Sequence, residues 1–179
     1  MKHPKNVFLI GPMGAGKSAV GRQLARMLHL TFLDSDEEIE NRTGVDISFI
    51  FEKEGEASFR HRERECIANL TRRKNIVLAT GGGAVLDEEN RRNLTRNGTI
   101  VYLKTTVEHQ LERTQHAKNR PLLADGEPRE SLERLAAIRS PLYEGLATFS
   151  VDTSGCHVRA VTASVCKLLR SRDFEPLKN

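Results

Sequence analysis

Short, unbroken apolar runs rich in branched residues recur along the chain at Val7–Ile10, Ile76–Ala79 and Ile100–Leu103, each bounded by Gly, Thr or charge. Hydrophobicity that is continuous rather than alternating predicts strands buried on both faces, as in a parallel sheet. Phe32–Leu33, ahead of Asp34, gives a weaker strand, and Thr148–Val151 a last one. The intervening segments change period. Val20, Leu24, Met27 and Leu28 fall at i, i+4, i+7 and i+8, one face of a helix that opens near Lys17. Ile47 to Arg72 reads as largely helical with a break near Gly55, and Glu88–Arg96, Val107–Gln115, Ser131–Ala147 and Val158–Arg170 supply further helices. Strands alternating with helices predict an α/β fold of three layers, a parallel sheet of about five strands with helices on both faces. His116 to Arg129 stands apart, with Asn119-Arg120-Pro121 and Asp125-Gly126-Glu127-Pro128 and no periodicity. That segment predicts a lid loop spanning about 113–128.

Composition narrows the class. A chain of 179 residues suits one domain, 1–179. Hydrophobic residues at 38% and charged residues at 29% exclude a disordered or collagen-like chain. Trp is absent and aromatics are 5%, so the core is expected to be mainly aliphatic. Lys plus Arg, 28, against Asp plus Glu, 24, leaves +4, a surplus that suits an anionic small molecule as readily as a nucleic acid. Cys66, Cys156 and Cys166 form no CxxC pair, which predicts free thiols. The apolar stretch before Gly11 and Pro12 is far shorter than the ~7–15 residues of a signal peptide or the ~20 of a membrane span. A soluble, cytoplasmic chain with no membrane partner is the expectation.

The sharpest local signal is Gly11-Pro12-Met13-Gly14-Ala15-Gly16-Lys17-Ser18, a full G-x-x-x-x-G-K-S between a strand and a helix. Glycines let the backbone curl so that several N–H groups converge on phosphate oxygens, and the helix N-terminus adds partial positive charge. Lys17 is placed to reach the β- and γ-phosphates and Ser18 to ligate Mg²⁺. A nucleoside triphosphate site on a P-loop fold follows. No Asn-Lys-x-Asp for guanine is present, and Asp152-Thr153-Ser154-Gly155 lies after the last strand, where a D-x-x-G match reads as coincidence. Asp34-Ser35-Asp36 and Gly81-Gly82-Gly83 both end predicted strands, where an open parallel sheet places its ligand crevice.

Taken in order, Gly14-Ala15-Gly16-Lys17-Ser18, Asp34-Ser35-Asp36, Phe59-Arg60 with Glu63, Gly81-Gly82-Gly83, Arg120-Pro121-Leu122-Leu123 and Arg139-x-Pro141-x-Tyr143 resemble the shikimate kinase family. The likeness runs from about Asn6 to Asp152. It implies ATP-dependent phosphorylation of a shikimate hydroxyl on the route to chorismate and aromatic amino acids, with Mg²⁺ as cofactor. It implies that Asp36 is the base and holds the acceptor hydroxyl, that Asp34 supports the metal through water, and that Arg60 and Arg139 grip the substrate carboxylate. Gly81, Gly82 and Gly83 would lie against the ring, and a helical segment at about 35–63 would bind the substrate. Gly14, Ala15, Gly16, Lys17, Ser18 and Ala19 would hold the nucleotide, and Arg120 would swing over the transferring group.

Plainer readings stand beside these. Arg60 lies in Arg60-His61-Arg62-Glu63-Arg64-Glu65, where interleaved charge commonly forms a solvated helix face. Arg139 sits in the apolar Ala136-Ala137-Ile138-Arg139, where burial is costly without a partner. Arg113 stacks on adenine or decorates its helix; His157 touches ATP or begins a helix. The loop Thr153 to Val158 lacks the proline expected of the family. A kinase for another small acceptor, such as gluconate, is the nearest alternative, and an RNA-associated ATP-binding module a more distant one. No aromatic platform for bases is visible, and no heptad demands self-association, so a monomer without nucleic acid is expected.

Overall fold

Neighbouring residues of the first apolar run face opposite ways. In β1 (Val7–Ile10), Val7 and Leu9 join one apolar cluster while Phe8 and Ile10 join another, as the two-residue period of a strand requires. All four are fully buried, so this strand lies at the centre of a sheet covered on both faces. The computed structural model describes residues 5–114 and 127–171. The other strands are β2 (Thr31–Asp34), β3 (Ile76–Ala79), β4 (Thr99–Lys104) and β5 (Phe149–Asp152). Their order is β2-β3-β1-β4-β5 with every neighbouring pair parallel. Thr148 only leads into β5, donating its N–H to Ile100 O at 2.8 Å.

The Val7–Leu9 face is covered by α1 (Lys17–Leu28) and α7 (Val158–Arg170), through Val20, Leu24, Leu28, Val161, Val165 and Leu169. The Phe8–Ile10 face is covered by α3 (Ile47–Leu70), α4 (Glu88–Asn97) and α6 (Pro128–Leu146), through Ile50, Phe59, Ile67, Leu94 and Tyr143. Two further helices, α2 (Ser35–Thr43) and α5 (Val107–Thr114), follow β2 and β4. Met27 corrects the predicted α1 face: it is 45% exposed. The inward stripe is Val20, Gly21, Leu24, Ala25 and Leu28, and the missing side chain at Gly21 is replaced by the Phe32 ring, 2.5 Å from where a Cβ would stand.

Segment 35–63 comprises α2 and the first part of α3. Asp46 caps α3 by accepting from Phe49 N at 2.8 Å, and Gly55 interrupts α3 with φ 83° and ψ 169°, as the sequence anticipates. The thiols are free, Cys66 and Cys166 buried and Cys156 exposed. Asp152 Oδ1 accepts from Ser154 N at 2.8 Å and Gly155 has φ 66°, so the D-x-x-G match is a turn. Among the described residues no helix is long and apolar enough to cross a membrane. Residues 115–126, which hold Arg120 and most of the expected lid, lie outside the described residues.

Candidate active site

Because all strands run parallel, the loops after β1, β2, β3 and β5 emerge at one edge of the sheet. The loop after β1 ends on Gly16, whose φ of 86° lies in the left-handed region that glycine enters without a Cβ penalty. This residue caps α1 with no side chain of its own, which leaves the first amides of the helix facing outward. Lys17 Nζ donates to the carbonyls of Gly11 and Pro12 at 2.7 and 2.8 Å, so the ammonium lies across the mouth of its own loop. An open cleft of about 290 Å³ is lined by Gly14, Gly16, Lys17, Ser18 and Ala19 on one side and by Asp34, Asp36, Gly81 and Gly82 on the other. Ala15 is buried behind it.

One carboxylate joins the two sides. Asp34 Oδ2 accepts from Ser18 Oγ at 2.6 Å, while Oδ1 accepts from the N–H groups of Asp36 and Glu37 at 3.0 and 3.4 Å, capping α2. The helix begins here because an extended Asp offers its side chain to the amides two and three residues on. Ser35 Oγ accepts from Gly81 N at 3.0 Å, so β2 and β3 present their following residues together.

Asp36 has a buried Oδ1 with no hydrogen-bond partner in the protein. Burial, with the charges of Asp34 and Glu63, pushes its carboxyl up to about 7, against the opposing pull of Lys17. A Cβ on Gly81 would stand 2.8 Å from Asp36 Oδ1 and 2.8 Å from Glu63 Oε1, so a side chain there would displace both carboxylates. Glu63 is 1% exposed; burial raises its pKa despite the nearby Arg60 and Arg139.

Arg60 donates through Nη1 to Glu63 Oε2 at 2.8 Å and through Nε and Nη2 to Glu56 Oε1 at 3.2 and 3.0 Å. Burial alone would lower its pKa, but Glu63 and Glu56 outweigh it and hold the guanidinium firmly charged. Its guanidinium lies against Gly83, in the space a Cβ there would take. Arg139 is 4% exposed, with Nη1 3.4 Å from the place of a Cβ on Gly82. Its pKa is lowered by burial and by Arg60, against the pull of Tyr143. Tyr143 O–H donates to Gly82 O at 2.6 Å. The glycine triplet is therefore faced by two guanidinium groups and two carboxylates, and Arg60 is not the solvated helix residue its charged neighbourhood suggests.

Other expectations resolve differently. Arg113 is exposed yet anchored: Nη1 donates to Gly14 O at 2.7 Å and Nη2 to Thr153 O at 3.1 Å, tying the phosphate loop to the loop after β5. His157 is exposed, begins α7 without a side-chain cap bond, and does not line the cleft. Among the described residues no group of three or more His, Cys, Asp or Glu could hold a metal ion. The oxygen donors Ser18 and Asp34 instead suit a hard cation that keeps most of its waters and takes the rest of its ligands from phosphate. Ser35, Glu63 and Tyr143 were legible only as members of motifs. Nothing in their spacing announces that a hydroxyl, a carboxylate and a phenol will each support the glycine triplet.

The family model described as shikimate kinase matches residues 13–170. A shikimate kinase of Shewanella loihica is 53% identical over 165 residues, 92% of this chain and 96% of that protein. One of Pasteurella multocida is 53% identical over 170 residues, 94% and 97% of the two chains. The structure of shikimate kinase from Acinetobacter baumannii in complex with shikimate superposes with a TM-score of 0.92 at 48% identity, covering 96% of this chain and 95% of that one. With its phosphate loop, aspartates, arginines and glycine triplet gathered at one sheet edge, the chain belongs to the shikimate kinase family.

Proposed function

We propose that the protein transfers the γ-phosphoryl group of ATP to a hydroxyl of shikimate, giving shikimate 3-phosphate and ADP in the biosynthesis of chorismate and aromatic amino acids. The observation that carries this reading is the sharing of one cleft by Lys17, Ser18 and Asp36, with Arg60 and Arg139 against the adjoining glycines. The amides of Gly14 to Ala19 take the phosphates, and Lys17 exchanges its hold on Gly11 and Pro12 for the β- and γ-oxygens. Asp36 aligns the acceptor hydroxyl. The hydroxyl oxygen of the acceptor forms the new bond to γ-phosphorus as the bond to the β–γ bridging oxygen breaks, ADP leaves, and the hydroxyl proton passes to Asp36. Arg60 and Arg139 fix the acceptor's carboxylate, and the triplet admits its ring.

Ser18, with Asp34 acting through water, would hold Mg²⁺, which when bound offsets charge on the phosphates. Arg113, between Gly14 and Thr153, borders the nucleotide-base side, with His157 at its outer limit. Arg120 covers the transferring phosphoryl from the lid at about 113–128. A cytoplasmic monomer completes the reading.

A coupled ADP-release assay tests it. Release is expected with shikimate, to be negligible with a carboxylate-free polyol or with no acceptor, and to be abolished by chelating Mg²⁺. Equal rates with and without shikimate would refute the acceptor assignment.

A further inference from the structure

The phosphate loop is shaped from behind by a residue that no part of the reaction above uses. Gln110, on α5, is 3% exposed, and its Nε2 donates to Met13 O at 2.8 Å. A buried side-chain amide holding a loop carbonyl 97 positions away in sequence is a long-range tie in a segment where local turns supply little. A second observation fixes the contact. A Cβ on Gly14 would stand 3.3 Å from Gln110 Cα, so α5 lies directly against the loop at the same peptide.

The consequence follows from peptide geometry. The chain has no cis bonds among its described residues, and in a planar trans unit the C=O and the following N–H point in opposite directions. Met13 O is turned outward, onto Gln110. The N–H of the same unit belongs to Gly14, which lines the cleft, and is thereby turned inward. Gly14 O in turn is taken by Arg113 Nη1, and the N–H of that unit, on Ala15, closes back onto Pro12 O at 3.3 Å, which fixes the loop on both sides of the Gly14 amide. Convergent amides are what make such a loop an anion cradle, and preorganising them removes a cost otherwise met on binding.

We infer that Gln110 is a positioning residue of the phosphate site: by holding Met13 O from outside the loop, it aims the Gly14 amide at the nucleotide's phosphates. The inference rests on reading the loop as the ATP site, and it assigns Gln110 no contact with substrate.

Gln110→Met tests it, since methionine keeps the length of the side chain and removes the donor. Gln110 also borders a cavity of about 50 Å³ between α5 and α6, which leaves room for the thioether. The expected results are a five- to tenfold weaker ADP affinity by calorimetry, about the worth of one lost hydrogen bond, with shikimate affinity unchanged. In ¹⁵N spectra the Gly14 amide resonance moves. Should Gln110→Met fold poorly, Gln110→Leu, of similar volume and likewise without a donor, gives the same two readouts. Unchanged ADP affinity in a folded variant overturns the inference, and so does an equal loss of ADP and shikimate affinity, which marks a merely structural role. ADP binding by the unaltered protein does not depend on the acceptor, so failure of the shikimate assignment appears separately, in the turnover assay.

Discussion

Asp36 sits where the needs of stability and of catalysis diverge. Its carboxyl is raised to about 7, first by burial and then by Asp34 and Glu63. In the unfolded chain it ionises near the ordinary aspartate value of 3.8. Between those two values the folded state binds a proton that the unfolded state has released, so stability declines as pH rises through the window, and the full penalty is present above it. A shift of this size is on the order of 4 kcal/mol. Asp36→Asn is therefore expected to raise Tm by more than about 4 °C at pH 8 and to leave it nearly unchanged near pH 4, read by thermal unfolding at both values. As the proposed base, Asp36 ties activity to the same titration: kcat/KM should fall as pH drops below about 7, and Asp36→Asn should cost at least about 100-fold in kcat. Arg139 obeys a different rule. It is buried beside Gly82, where a lysine cannot reproduce a two-pronged hold on a carboxylate. Arg139→Lys should lower kcat/KM for shikimate roughly 10- to 100-fold with ADP affinity intact. Arg139 was legible as a ligand candidate because a lone cation in an apolar stretch needs a partner. Arg60 was not legible from its own neighbourhood, since Glu56 and Glu63 hold it at helical spacings that an exposed face would also use.

At the scale of elements, legibility follows how much apolar surface each one buries. The strands and α7 were readable to within a residue or two because their apolar runs face a core. Helix α2 was not separable, since only Ser35 and Ile39 of it are buried and a single apolar side chain gives no period. Its start is set by Asp34 ahead of Asp36, Glu37 and Glu38, a capping residue before an acidic first turn that the motif reading passed over. That cap has a measurable role. Asp34→Ala is expected to cost about 1 kcal/mol, or roughly 2–4 °C in Tm. Asp34→Asn keeps an oxygen for the amides of Asp36 and Glu37 and should hold Tm within about 1 °C. The Asn variant should still need more Mg²⁺ for half-maximal rate, because an uncharged NH2 group replaces the carboxylate oxygen that faces Ser18. A titration of rate against Mg²⁺, alongside the melts, separates the two duties.

For the whole molecule, alternation of strands and helices was enough to foresee a parallel sheet with both faces covered, but not the neighbour order that puts β1 between β3 and β4. Strand order is decided by which faces fit together, and apolar runs as similar as Val7–Ile10 and Ile76–Ala79 carry no label for that. Likewise, the meeting of α3 and α6 at the glycine triplet came from the resemblance and not from spacing. Since both substrate sides stand on one sheet with two cores back to back, unfolding should be a single transition that either ligand delays. At 100-fold over its Kd, ADP or shikimate should each add about 5–10 °C to Tm. Arg139→Lys should lose most of the shikimate increment and retain the ADP increment, as differential scanning calorimetry would show.

The bond from Ser18 to Asp34, and from Asp34 to the amide of Asp36, bears on how such a scaffold can be redirected. The bond to position 36 is to a main-chain N–H, which any residue but proline supplies, so Ser18 and Asp34 constrain one another while the side chain at 36 is left free of them. On the proposed function, diversification toward new acceptors falls to position 36, Arg60, Arg139 and the glycines they face, with Ser18 and Asp34 inherited as a pair.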